Sequence, residues 1–269
     1  MKIGYIGLGS LGSPIARCIA RGGFPLTVYD IVPAAMEGFI SKAASPQEAA
    51  FASDVLCACV RTDADMVELT QSGSVFAALG AGGVFIVHST IAPELAEALS
   101  AQAARHGVAV LDCGVSRGGG GAEVNGDLSI YLGGDAATVE KVKPLLDCLG
   151  TYQLLGPVGS GMKGKLLNNL VSIANYGMAA HILELGEHLG FDRAQLREML
   201  MAGSAQGFAM RVAPGFVSPE RAPNMLTLFD KDVAHARALA DPSLPSMKAL
   251  LAAAQSMVDL LAEKAKPQP

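Results

Sequence analysis

Charge is scarce in this sequence. Only 17% of its 269 residues are charged, and 20 Lys and Arg against 25 Asp and Glu leave a formal charge of −5. No basic run occurs, which argues against a nucleic-acid-binding or anionic-membrane surface. No apolar run approaches the ~18–20 residues of a membrane span. Few charges beside 51% hydrophobic residues also argue against disorder. Cysteine supplies no framework: Cys18, Cys57, Cys59, Cys113 and Cys148 are odd in number and scattered, without C-x-x-C or a Cys/His pair at zinc spacing. Cys57 and Cys59 fall in an apolar run and read as small hydrophobes of a buried strand. The expectation is a reducing, cytoplasmic setting. The apolar start, Met1–Gly12, is not read as a signal peptide, because its glycines fall where a strand and a turn need them. The dispersed histidines, His88 among them, read as structural, and no metal site is expected.

Two regions of different character are present. The first alternates short apolar runs with helical stretches. Lys2–Ile6, Leu26–Asp30, Val55–Val60, Val84–His88, Val108–Asp112, Leu128–Leu132 and Tyr152–Leu155 read as strands. Such alternation predicts βαβ units and a parallel sheet covered on both faces. After Gly156-Pro157 the pattern changes. From Ser160 to Leu189 no proline occurs and apolar residues recur at helical spacing. Helices are also expected over Arg193–Met201, Asp230–Leu239 and Ser246–Lys264. The boundary is placed near Val158, giving an α/β domain over 1–158 and an all-α domain over 159–269.

Gly7-Leu8-Gly9-Ser10-Leu11-Gly12 fits G-x-G-x-x-G between the first strand and the following helix. In this pattern Gly7 permits a tight turn, Gly9 lets backbone approach a diphosphate, and Gly12 allows close helix packing. The diphosphate would rest on N–H groups at the helix start. Asp30 stands where an acid should accept the ribose hydroxyls and repel a 2′-phosphate. No Arg follows at Ile31 or Val32, so NAD is favoured over NADP.

Two further segments carry chemistry. The strand ending at Asp112 is expected to open into a glycine-dense loop, Ser116-Arg117-Gly118-Gly119-Gly120-Gly121. Its N–H groups could form a nest for an anionic head group, with help from the Ser116 hydroxyl; a flexible surface turn explains the glycines equally well. Gly159–Asn169 opens the long helix and places Lys165 and Asn169 one turn apart on one face. Near a helix start the macrodipole disfavours a charged lysine. Two adjacent amides, Asn168 and Asn169, inside an apolar helix need partners if buried.

These residues resemble the β-hydroxyacid dehydrogenase family, which includes 3-hydroxyisobutyrate and tartronate semialdehyde enzymes. The resemblance spans nearly the whole chain in four ordered signatures. They are Gly7–Gly12 with Asp30; Val87–Pro93, similar to D-x-S-T-x-x-P, whose Thr (Thr90 here) lies by the nicotinamide; Asp112–Ser116 with Gly118, similar to the substrate loop D-A-P-V-S-G-G; and G-x-G-x-x-x-K-x-x-x-N at Gly159–Asn169. Lys231-Asp232 matches a later K-D pair near the cofactor. The resemblance implies a Rossmann-type domain followed by a 6-phosphogluconate dehydrogenase-like helical domain. It assigns Lys165 as the catalytic acid/base and Asn169 as the residue orienting substrate. It places Ser116, Arg117, Gly118 and Gly119 at the substrate carboxylate. Gly7, Leu8, Gly9, Ser10, Leu11, Gly12, Asp30, Val60, Arg61, Thr90 and Lys231 would hold the dinucleotide.

The sequence departs from the family in three places. Gly114 replaces the loop's Pro, Arg117 interrupts Ser-Gly-Gly, and Val60-Arg61 stands where Leu-Pro is usual. Arg117 is expected to add an anion contact, suiting a more acidic substrate. Arg61 reads equally as a cofactor contact or a solvent-facing side chain. The implied reaction is reversible oxidation of a small anionic 3-hydroxy acid, hydride leaving for the nicotinamide while Lys165 moves the proton. The alternatives are an imine or other carbonyl reductase on the same scaffold, or a non-catalytic NAD-binding sensor. The apolar helix suggests a homodimer or homotetramer through the C-terminal helices.

Overall fold

A computed structural model describes residues 1–117, 123–216, 218–239, 241 and 243–266. Its contacts divide the chain into two compact units, Met1–Lys165 and Leu166–Pro269.

The strands of the first unit are β1 (Ile3–Ile6), β2 (Leu26–Tyr29), β3 (Ser41–Lys42), β4 (Val55–Ala58), β5 (Val84–Val87), β6 (Ala109–Arg117), β7 (Leu128–Gly133) and β8 (Gly150–Gly156). They form one sheet in the order β3-β2-β1-β4-β5-β6-β7-β8. Neighbours run parallel except β6 and β7. Helices α1 (Gly12–Arg21), α2 (Pro46–Phe51), α3 (Asp63–Thr70), α4 (Ser74–Leu79), α5 (Pro93–Ala104) and α6 (Ala136–Leu149) cover it.

The strand alternation builds two cores. Tyr5, Cys57, Ile86, Leu111 and Cys113 face one side and pack with Ile15 and Ile19 of α1 and Val142 and Leu146 of α6. Ile6, Leu56, Phe85 and Val110 face the other and pack with Met66, Phe76 and Leu99 of α3, α4 and α5. Central strands such as Val55–Ala58 and Val84–Val87 are buried throughout, which is why they read as unbroken apolar runs. Local chemistry sets the helix starts. Ser45 accepts the Glu48 N–H ahead of α2, Thr62 and Asp65 form a reciprocal capping box on α3, and Asp135 accepts the Thr138 N–H on α6.

One expectation is corrected. The strand does not end at Asp112. β6 continues to Arg117 in an antiparallel ladder with β7, from Asp112↔Gly133 to Arg117↔Leu128. Leu111, Cys113 and Val115 alternate onto the α1/α6 core beside Leu128, Ile130 and Leu132. Burying both rows favours strand over loop. For the same reason the sheet is mixed rather than wholly parallel.

The second unit is helical. α7 (Ser160–His188) begins in the first unit, and α8 (Arg193–Ala202), α9 (Phe208–Phe216), α10 (Ala222–Leu239) and α11 (Pro245–Lys264) follow. Leu170 and Ile173 of α7 pack with Val233 of α10 and Met257 and Leu261 of α11. Tyr176 stacks on Phe229 with centroids 5.9 Å apart. A Cβ on Gly177 would meet Met257 Cβ at 3.1 Å, so this glycine lets α7 and α11 lie close. α9 escapes the sequence reading, and α10 starts at Ala222 rather than Asp230.

Candidate active site

The glycine turn connects β1 to α1. Gly7 has φ +90°, and a Cβ there would strike the Cys59 carbonyl. A Cβ on Gly12 would strike the Gly7 carbonyl and meet Cys59 Cβ at 3.2 Å. Gly9 differs: among the described residues beyond its chain neighbours, no atom lies within 4 Å of its Cβ position, so the turn is open there. The first turn of α1 contains no acidic residue, and Leu11 at its cap makes no side-chain hydrogen bond to it. An open backbone turn at an uncapped helix start suits an anionic diphosphate.

Asp30 follows β2 beside this turn. Its carboxylate accepts the Leu8 N–H at 2.6 Å and the Val32 N–H at 2.8 Å. Those bonds hold the acid against the turn. Ile31 and Val32 beyond it are exposed.

The loops after β4 and β5 are stitched together. The Val60 N–H donates to Ser89 Oγ at 2.7 Å, and the Ala92 N–H donates to an Asp63 carboxylate oxygen at 3.0 Å. Ser89 is buried, Thr90 and Val60 are half-buried, and Arg61 is exposed. His88 is buried, and its Nδ1 shares a 3.0 Å hydrogen bond with the Tyr5 hydroxyl. Among the described residues Nε2 has no partner. Burial pushes the His88 pKa down to about 4, so this ring is neutral near pH 7.

Lys165 stands in the second turn of α7 and is only 9% exposed. Two features of β6 seat that helix. Asp112, fully buried, accepts the Gly159 N–H at 2.9 Å and the Met162 N–H at 2.7 Å. Burial raises its pKa, and the amide bonds oppose the rise. Gly133 and Gly161 leave room for this contact, since a Cβ on Gly133 would overlap the Asp112 carboxylate and one on Gly161 would overlap the Asp112 carbonyl. Gly114 lies against the Lys165 stem.

In the second unit Asn169 Nδ2 donates to Asp232 Oδ2 at 2.6 Å, and Asn168 Nδ2 donates to Asn169 Oδ1 at 3.1 Å. Lys231 Nζ lies 3.7 Å from Asp232 Oδ1. The adjacent amides thus have partners, and Lys231 is engaged beside the carboxylate that holds Asn169. Ser116 is half-buried on β6 opposite Ser129. Arg117 ends the strand; its side chain, with Gly118 and Gly119 of the expected anion nest, lies outside the described residues.

Asp112, Ser89, Asp63 and Asp232 shape these loops, yet the sequence reading gives none of them a role. Asp112, Ser89 and Asp232 each fall within a quoted signature, the last as half of the K-D pair, whereas Asp63 falls in none. Among the described residues no group of three or more His, Cys, Asp or Glu could hold a metal. No helix among them is long and apolar enough to cross a membrane.

Comparison with known proteins accords with this geometry. Residues 2–167 match the family model of the NAD-binding domain of 6-phosphogluconate dehydrogenase. Residues 159–268 match the model described as the NAD-binding domain of NADP-dependent 3-hydroxyisobutyrate dehydrogenase. The chain is 32% identical over 218 residues to the NAD-dependent L-serine dehydrogenase of Pseudomonas aeruginosa, covering 78% of this chain and 72% of that protein. It is 31% identical over 217 residues to the 2-(hydroxymethyl)glutarate dehydrogenase of Eubacterium barkeri, covering 78% and 71%. The solved structure of Mycobacterium tuberculosis 3-hydroxyisobutyrate dehydrogenase with L-serine superimposes with a TM-score of 0.79 over 98% of this chain and 99% of that one; at 22% identity this is a likeness of fold. With an open glycine turn, a seated Lys165 and family models that match both halves, the chain belongs to the β-hydroxyacid dehydrogenase family and is an NAD(P)-dependent oxidoreductase.

Proposed function

We propose that the protein interconverts a small anionic 3-hydroxy acid with its semialdehyde or keto acid, using NAD in preference to NADP, with Lys165 as general acid/base. The observation that carries this reading is a lysine 9% exposed in the second turn of α7, against the strand that leads toward the substrate loop. The bound nicotinamide supplies the hydride acceptor or donor. Lys165 takes the hydroxyl proton during oxidation and returns it during reduction. Asn169, four residues along the same helix and steadied by Asp232, orients the substrate. Ser116, Arg117, Gly118 and Gly119 bind the carboxylate. The spacing between that anchor and Lys165 selects a 3-hydroxy over a 2-hydroxy group.

The dinucleotide is held by the Gly7–Gly12 turn and Asp30, with Val60, Arg61, Thr90 and Lys231 as further contacts. Preference for NAD is supported by the Asp30 carboxylate and by the absence of an Arg at positions 31 and 32. Self-association through the helical unit is supported by α7, which exposes Leu167, Val171, Met178, Ile182 and Leu185. At 100° per residue these fall within roughly 60° of the helix circumference. An exposed apolar stripe of this kind favours burial against a second copy.

The test is reduced-nicotinamide formation with NAD, then NADP, across mono- and dicarboxylic 3-hydroxy acids, with Lys165→Ala in parallel. Turnover that disappears in the variant is expected. Turnover persisting in Lys165→Ala would remove the lysine from the chemistry. Silence across the panel with NAD binding intact would shift the activity to an imine or another carbonyl, or leave a sensor.

A further inference from the structure

We infer that Gly114 is a positioning residue for Lys165: its missing side chain is what lets the catalytic lysine lie against β6. This rests on the reading of Lys165 above. A Cβ built on Gly114 would overlap Lys165 Cβ, come 2.9 Å from its Cγ, and lie 3.3 Å from the Gly161 carbonyl oxygen, whereas ordinary contact begins at 3.4 Å. The overlap falls on the root of the lysine, which moves only with the helix backbone. Conformation does not call for a glycine, because Gly114 is not among the glycines with positive φ. It sits inside the β6 ladder opposite Tyr131, where glycine weakens a strand.

The helix is also not at liberty to slide away. Two residues earlier on β6, Asp112 accepts the Gly159 and Met162 N–H groups. On the side of β7 and β8, a Cβ on Gly164 would overlap Leu155 Cδ1 and meet Tyr131 Cδ1 at 3.2 Å. Any side chain at 114 therefore displaces Lys165 relative to the strand that leads to the carboxylate loop. The family's loop carries Pro where this chain has Gly114.

The experiment combines kinetics with a stability cycle on the full chain: wild type, Gly114→Ala, Lys165→Gly, and the double variant. A catalytic group displaced on the order of 1 Å loses on the order of 10²-fold in rate. Gly114→Ala should therefore lose ~10²-fold in kcat while its Kd for NAD, read by fluorescence titration, is unchanged. In the melting cycle Gly114→Ala should lower Tm by roughly 4 °C or more in the Lys165 protein and much less beside Lys165→Gly, which removes the opposing Cβ. If Gly114→Ala does not fold but the double variant does, the contact is supported. An equal Tm loss in both backgrounds, or failure of both to fold, overturns it, as does a kcat within twofold of wild type. A wild-type protein that oxidises no 3-hydroxy acid would defeat the proposed activity, while the melting cycle would still decide whether Gly114 seats Lys165.

Discussion

Asp30 does two jobs with one carboxylate. It pins Leu8 of the glycine turn, and in the proposed function it also accepts the ribose hydroxyls. A hydrogen bond to a charged group contributes ~1.5–3 kcal/mol, and each ~1.4 kcal/mol is tenfold in affinity. Asp30→Asn should weaken NAD roughly 10- to 100-fold and weaken NADP less, because the repulsion of a 2′-phosphate goes with the charge. Titration of both dinucleotides checks this, and equal loss for the two would refute a selective role. His88 makes a different statement, about acid stability. Its native pKa is pushed down from 6.5 to about 4 by burial. Between those values the unfolded chain takes up a proton that the native ring does not, so stability rises with pH across the window and falls as pH drops toward 4. At ~1.36 kcal/mol per unit this amounts to roughly 3 kcal/mol. Urea midpoints from pH 7 to 4.5 should decline less in His88→Gln than in wild type. Parallel declines would show that His88 is not responsible. The expected role of Asp30 is legible in its distance from the glycines, whereas the burial of His88 is not, because its Tyr5 partner lies 83 positions away.

At the scale of the element, Gly7 and Gly9 of the turn have distinct physical roles. Gly7 answers to backbone conformation, and strain there is on the order of 1–3 kcal/mol. Gly7→Ala should lower the melting temperature by several degrees. A Cβ on Gly9 would meet nothing within 4 Å among the described residues beyond its chain neighbours. Gly9→Ala should melt like wild type yet lose NAD affinity ~10-fold or more, because in the proposed function the diphosphate approaches the backbone at this glycine. Loss of stability in Gly9→Ala, or undiminished NAD binding, would sink this division of labour. The glycine turn was legible because strand, turn and helix are contiguous, each step governed by residues within a few positions. β6 was less so. Asp112-Cys113-Gly114-Val115-Ser116 contains a glycine and polar residues and leads into more glycines, so local chemistry favours a loop. It becomes a strand because β7, which begins at Leu128, supplies a paired ladder and a shared apolar row.

For the whole molecule, the exposed stripe on α7 yields a further expectation. Met178 and Leu185 are 61% and 50% exposed, so charging them leaves the core of the second unit intact. Met178→Lys with Leu185→Lys should reduce the mass measured by light scattering to that of one chain without altering the Kd for NAD. An unchanged mass above one chain would place self-association elsewhere, and a monomeric wild type would remove it.

The order of strands and helices, the character of the two regions and the glycine turn with its acid all follow from short-range pattern. Periods of two and 3.6 residues, turn glycines and caps act over one or two turns of chain. The site's finer construction depends on contacts between distant positions. Asp112 capping a helix 47 and 50 residues on, Asn169 held by Asp232 across 63, and Lys165 resting on Gly114 each join segments that nothing local relates. Buried carboxylates and close backbone approaches become favourable only after the sheet and helices have brought their partners within reach. Tertiary packing therefore decides which of the plausible polar residues find buried partners.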